Sequence, residues 1–410
     1  MKQFLVILTL FIFLYGKAQL NRVVEIPPYY IKTVQLSDGK LPKSSPIIPL
    51  NHQIYFSFDD LQGDEKEYYY KVVRYDERWH TTDLSVSEYI SGFDGDVIED
   101  ISNSSGTLQT YTHYALQLPN DNTRILLSGN YVLQVLNDDR IIFSKPFILY
   151  EKKVNIGVQV KWANDVTKKD RWQTVDFSIY KSSFNILNES ETLTARIFQN
   201  NDIYSYKEFH QPTFYKGAEW VYHYPNEAVF EGVNEFKQFE TKDLRGINYG
   251  IYRSQLNTLY DFYLYEDNYR SHYLFRKDIN GNYIIKTLQG EDMATESDYV
   301  YVHFVFNNEV DAGKKLYVIG HFNDFHIDDV YELIYNNETG KYENILLLKQ
   351  GYYNYLYITK DKAGDIDIAE INGSFAQTEN DYTVLLYYRA PGARFTSVIG
   401  YGTANSDQIK

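Results

Sequence analysis

Apolar and polar residues alternate with a period of two along most of the chain, and clusters of Gly, Asn, Asp and Ser interrupt the alternation at short intervals. A period of two is the mark of a strand with distinct faces, and the interruptions read as turns. The strongest stretch runs from Lys315 to Gly402. It holds KLYVIGHFNDF (Lys315 to Phe325), LLLKQGYYNYLYI (Leu346 to Ile358), GSFAQTENDYTVLLYY (Gly373 to Tyr388) and IGYG (Ile399 to Gly402). Leu316, Val318, Tyr355 and Tyr357 fall on alternating positions, which predicts one buried face and one face toward solvent. Gly351 to Tyr355 reads as an aromatic hairpin.

The same pattern extends upstream. Ile54 to Phe58 alternates and runs into Phe58-Asp59-Asp60-Leu61, read as a strand end and a polar turn. Tyr68 to Tyr75 and Tyr131 to Leu136 are strands rich in aromatic and β-branched residues. Thr192 to Phe198 and Tyr260 to Tyr265 are strands of a less regular middle region. Asp278 to Asn282 is a hairpin turn signal, and the polar run Gly290 to Asp298 reads as a linker. No long amphipathic helix is evident. The expectation is an all-β chain of two or three immunoglobulin- or fibronectin-like sandwiches in series: 19–150, 151–295 and 296–410.

Composition sharpens this picture. Aromatics make up 17% of the 410 residues, dominated by 41 Tyr and 24 Phe, and such side chains suit pleated, half-buried surfaces. Residues 1–18 read as an export signal: Lys2 precedes the apolar run Phe4 to Tyr15, and small residues place the cut between Ala18 and Gln19. A run of about 12 residues is too short to span a bilayer, which needs about 20. Losing Lys2 and Lys17 and no acid takes the formal charge from −15 to −17. That acidity argues against nucleic acid and anionic membrane surfaces. The chain has no cysteine, so stability rests on core burial and no lipid anchor is available.

Candidate chemistry is sparse. There is no Gly-x-Ser-x-Gly elbow and no phosphate loop, and the one Gly-x-Gly is Gly400-Tyr401-Gly402. His321 and His326, beside Asp324, Asp328 and Asp329, meet no recognised ligand spacing and read as a solvated loop. Asp94-Gly95-Asp96 with Glu99 and Asp100 lacks the alternation of a calcium loop and reads as a charged surface. Tyr352, Tyr353 and Tyr355 have the chemistry to stack on sugar rings, yet alternating aromatics more often pack on each other. No catalytic residue, metal ligand or cofactor site is assigned.

Two resemblances follow from particular residues. YVIGHFNDF with LLKQGYYNYLYI resembles the immunoglobulin-like sandwiches that bind glycogen and starch, which leaves a glycan-binding protein as the alternative function. A motif series along the whole mature chain resembles the type IX secretion system plug proteins of Bacteroidetes. It comprises Asp59, Asp60, Tyr70, Trp79, Tyr111, His113 and Tyr114, then Ser128-Gly129-Asn130-Tyr131. Asn234 and Glu235 mark the middle region. Lys349-Gln350-Gly351-Tyr352-Tyr353-Asn354-Tyr355 and Glu379-Asn380 mark the end. Val233 stands where the pattern expects Gly, Lys237 where it expects Arg, and Arg74 to Arg78 diverges. The resemblance implies a periplasmic, non-enzymatic plug that closes the mouth of a large outer-membrane translocon barrel by protein contact. The signature residues would then be scaffold or partner contacts.

Overall fold

A computed structural model describes residues 20, 23–39, 43–180 and 184–409. The expected export segment and its cut site lie outside the described residues. Strands hold 47% of the chain and helices 6%, so the fold is all-β, with sandwich-like sheets that curl toward half-barrels. Among the described residues no helix is long and apolar enough to cross a membrane.

Three lobes are built from this material. In the first, a four-stranded sheet orders Ile31–Ser37, Ile54–Asp60, Thr112–Leu118 and Asp100–Asn103. It faces a five-stranded sheet centred on Gly129–Asn137, which is flanked by Arg140–Tyr150 and Tyr69–Tyr75. Alternate residues turn inward and interleave: Phe56, Phe58 and Tyr114 from one sheet, Tyr70, Leu133 and Phe147 from the other. Phe58 and Tyr114 stack with centroids 5.0 Å apart. Burial of each such side chain contributes about 1.5–3 kcal/mol.

The second lobe is a nine-stranded sheet, and it departs from the expected partition. Val154–Trp162 and Trp172–Tyr180 form one part, Leu193–Gln199 another, and between them lie Asp381–Tyr388 and Ser397–Asn405 from the end of the chain. Leu193–Gln199 pairs antiparallel with Tyr388–Tyr382, and Val154 lies parallel beside Gly400. The third lobe, ten strands between residues 237 and 367, is therefore inserted into the second. Boundaries at 151–295 and 296–410 cut across both sheets. Alternation records which face of a strand is buried and carries no information about its partner.

The strand Gly351–Lys360 corrects two further expectations. Its neighbours are Lys237–Glu240, Tyr283–Ile285 and Lys315–Ile319, not the preceding strand Lys341–Lys349. Lys349-Gln350-Gly351 is thus a corner between two parts of the sheet, not a hairpin. Both faces of the strand are buried: Tyr353, Tyr355 and Tyr357 fill the lobe's core, and Leu356 and Ile358 join an outer cluster with Val233 and Phe236.

Candidate functional site

The signature residues do not converge on one pocket. They sort into the cores of the first and third lobes and three buried joints between lobes. Tyr70, Tyr114 and Tyr131 pack in the first core. Asp60, read as part of a polar turn, is instead the buried last residue of its strand and accepts from Tyr68 Oη at 2.9 Å and Lys66 Nζ at 2.7 Å. Tyr353 lies between the parallel rings of Phe239 and Tyr283, at 5.2 and 5.4 Å, and Tyr355 donates to Asp267 Oδ2 at 2.8 Å. Tyr352 is half-buried and donates to Gln238. A sugar platform needs exposed ring faces, and these rings are committed to packing. Gly351 allows the corner: a Cβ there would meet the Ile284 carbonyl oxygen at 2.4 Å.

The first joint links lobes one and three. Asp59 and Lys349 are 0% and 2% exposed and pair at 2.7 Å. Tyr299 Oη donates to the same carboxylate oxygen at 2.6 Å, and His113 Nδ1 lies 2.6 Å from the other. Lys349 also donates to the Ala294 carbonyl at 2.6 Å and sits 4.2 Å from the Tyr111 ring centroid. Burial alone would raise the Asp59 pKa, but the Lys349 ammonium and the His113 contact outweigh it and hold the carboxyl below its ordinary range. The stretch 290–298, read as a linker, is part of this joint. Asp298 accepts from the Leu108 and Gln109 amides and donates through its own amide to Gln350 Oε1, while Tyr111 donates to the Ser297 carbonyl.

The second joint links lobes one and two. Trp79, Tyr75, Val132 and Tyr150 pack on Phe198, Leu385 and Tyr387. Buried Arg74 donates to the Ser128 carbonyl at 3.0 Å and the Thr396 carbonyl at 2.6 Å. Gly129 lies against that guanidinium at φ 150°, where a Cβ would sit 2.7 Å from Nη2. Asn130 accepts from Tyr387 Oη at 3.0 Å, and the Val398 amide donates to Ser128 Oγ at 3.1 Å. Arg196, also buried, donates twice to Glu208 and once to the Glu77 carbonyl. Burial would raise Glu208, but hydrogen bonds from His210 and the Arg196 charge pull it down to about 2.

The third joint lies where the chain enters and leaves the inserted lobe. Asn234 donates to the Asn372 carbonyl at 2.9 Å. Asn380 donates to the Gly232 carbonyl at 3.0 Å and accepts from Asn200 at 2.8 Å. Asn354 Oδ1 accepts from the Ile279 amide at 2.7 Å. Val233 holds φ 55°, a left-handed conformation natural to Gly and strained for a β-branched residue; its burial beside Phe236 offsets that strain. Glu235 and Glu379 approach Asp278 here: one oxygen from each lies within 4.8 Å of the others. Burial, with the charges of Glu235 and Glu379 added to it, pushes Asp278 up to about 7.

All three lobes also meet at the loop read as solvated. His321 is buried, with Nε2 3.1 Å from the Asn200 carbonyl, and burial pulls its pKa down to about 4. Asp324 pairs with Lys145 of the first lobe at 2.5 Å. Arg74, Arg196, Tyr299 and Asp278 escaped sequence reasoning. One signal for Arg74 was present: it shares parity with Tyr68, Tyr70 and Val72, so it lies on the inward face of its strand.

Comparisons with known proteins fit this whole-chain design. A family model described as Type 9 secretion system plug protein 1st domain matches residues 31–151. The crystal structure of a hypothetical protein from Parabacteroides merdae is similar at 32% identity and TM-score 0.87, over 93% of this chain and 98% of that one. A trypsin-activated alpha-2-macroglobulin from Escherichia coli aligns at 11% identity over 90% of this chain and 27% of that one; its TM-score of 0.16 carries no argument. No curated protein matches the chain.

Proposed function

The chain belongs to the type IX secretion system plug protein family, and from that premise we propose that it closes the periplasmic mouth of the outer-membrane translocon barrel by protein contact. Membership supports a role in type IX secretion and a location in the cell envelope. A barrel wide enough to pass folded cargo leaks solutes unless a folded body covers it. The observation that carries the reading is that the signature residues outside the lobe cores, Asp59, Trp79, Ser128 to Asn130, Glu235 and Lys349 among them, lie in joints between lobes. A stopper must keep its shape under load, and the Asp59–Lys349 and Arg74–Thr396 contacts lock lobes that a series of separate sandwiches would leave free to swing. The formal charge of −15, which becomes −17 once Lys2 and Lys17 are lost, would suit a basic patch on the barrel rim, with attraction that weakens as salt rises.

The fold and the family suggest a structural role rather than a catalytic one. Deletion of the gene, with the barrel retained, is expected to sensitise cells to bulky antibiotics, and crosslinking in native membranes is expected to recover the chain bound to the barrel. Unchanged permeability with no crosslinked barrel overturns the proposal.

A further inference from the structure

The third joint holds three carboxylates, and among the described residues no lysine or arginine forms an ion pair with any of them. Glu235 is 1% exposed, and its Oε1 accepts from Tyr273 Oη at 2.7 Å and from the Glu379 amide at 3.1 Å. Its Oε2 is buried with no hydrogen-bond partner. Asp278 accepts from the Phe236 amide at 2.5 Å and the Asn280 amide at 2.7 Å. The Asn280 carboxamide, 9% exposed, reaches into the cluster: Nδ2 donates to Glu379 Oε1 at 3.2 Å and Asp381 Oδ2 at 2.8 Å, while Oδ1 is buried without a partner. The Arg270 guanidinium donates to the Glu235 backbone carbonyl, not to its carboxylate.

An isolated buried carboxylate is costly, and three within 4.8 Å multiply the cost unless protons or a cation offset it. We propose that Glu235, Asp278 and Glu379, with the Asn280 carboxamide, bind a hard divalent cation of the calcium class. Two unpartnered buried oxygens, Glu235 Oε2 and Asn280 Oδ1, are the lone pairs such an ion would use. The donors are all oxygen, with neither sulfur nor imidazole, which selects calcium over zinc or copper. Glu379 is half-buried and gives the ion a path from solvent. Asn405 donates to Glu379 Oε1 and to Asp381 Oδ1 and fixes the outer ring of the site.

The position gives the site its role. Glu235 precedes the inserted lobe, Asp278 belongs to it and Glu379 follows it, so one ion staples entry, insert and exit. Ligands that meet only in the folded state bind only the folded state, and the ion then stabilises by mass action. Because nothing in this site depends on the barrel, the inference stands apart from the proposed function.

The test uses the full mature chain stripped with chelator. Calcium at about 100 times its dissociation constant is expected to raise Tm by about 3 °C, and terbium is expected to show tyrosine-sensitised luminescence because Tyr273 touches the ligand Glu235. Glu235→Gln and Asp278→Asn each remove a carboxylate, and both are expected to lose the calcium shift and the luminescence; Glu235→Gln, whose Oε1 keeps both of its donors, is expected to keep or raise Tm in chelator, where a folding defect would lower it. Asp94→Asn, in an exposed acidic loop, is expected to keep both responses. No calcium shift and no luminescence in the parent chain overturns the site, as does an undiminished response in whichever of the two variants folds.

Discussion

At the joint between lobes one and three, Asp59 is surrounded by Lys349, Tyr299 and His113, and every carboxylate oxygen has a partner. At the joint between lobes two and three, Glu235, Asp278 and Glu379 crowd together, and Glu235 Oε2 and the neighbouring Asn280 Oδ1 are buried without partners. Both joints use acids from segments far apart in sequence. They differ in where the counter-charge sits: one joint holds a lysine on its acid, and in the other, among the described residues, no lysine or arginine pairs with a carboxylate of the cluster. The consequence shows in the acids themselves, since Asp59 is held below its ordinary range and Asp278 is pushed up to about 7. A buried acid with its own lysine is a lock fixed at folding, whereas a buried acid cluster without one is a lock that waits for an ion.

The comparison breaks most sharply at Lys349. Lys349→Met leaves Asp59 buried and uncompensated, and is expected to cost about 3–5 kcal/mol in urea unfolding. Adding Asp59→Asn is expected to recover most of that loss. Recovery that fails would mean the lysine acts through packing on Tyr111 rather than through charge.

Acid titration separates the paired acids next. A carboxylate whose folded pKa is depressed gives stability that is present above its unfolded pKa and lost as pH falls toward the folded one. Glu208, ordinarily near 4.5 and here at about 2, contributes about 3 kcal/mol, lost as pH drops from about 4.5 to 2. Asp59 shifts in the same direction, so its joint also loosens below the ordinary carboxylate range. Glu208→Gln is expected to flatten that slope in unfolding measured across this window.

Gly129 asks whether a joint without an acid behaves like either. Arg74 there meets carbonyls, and Gly129→Ala drives a methyl into its guanidinium, with an expected loss of about 1–3 kcal/mol by thermal unfolding. The smallest effect is expected for Tyr353→Phe, which removes one hydrogen bond to the Lys349 carbonyl, 2.5 Å long, and costs about 1 kcal/mol. Because its ring is buried, the same variant should leave calorimetry with starch oligosaccharides unchanged.

Much of the fold was legible because alternation is a local property. Tyr131 to Leu136 and Tyr69 to Tyr75 are strands for the reason their residues suggest. Pairing is not local. Thr383 and Leu385 read as part of a final module because Tyr355 lies close in sequence, yet their sheet partners are Phe198 and Arg196. Asp59 and Asp60 looked like a turn because two adjacent acids rarely stay buried, and only the folded chain brings Lys349 and Lys66 to them. The joints were visible as a motif series without a geometry. Their physical reason, counter-charges supplied from 290 residues away in the case of Asp59, lies outside any window of sequence.

The insertion of the third lobe has a mechanical consequence. Its two tethers run side by side, with the Phe375 amide and Thr378 Oγ1 both donating to the Val233 carbonyl at 2.8 and 3.0 Å. Tension that enters at residue 150 and leaves at residue 405 therefore runs along the backbone of the second lobe, while the third is a closed loop whose two chain connections lie at one place. Within the second lobe, Val154–Trp162 and Ser397–Asn405 lie parallel and are pulled from opposite ends. That arrangement loads their hydrogen bonds in shear, all at once, rather than opening them one after another like a zip.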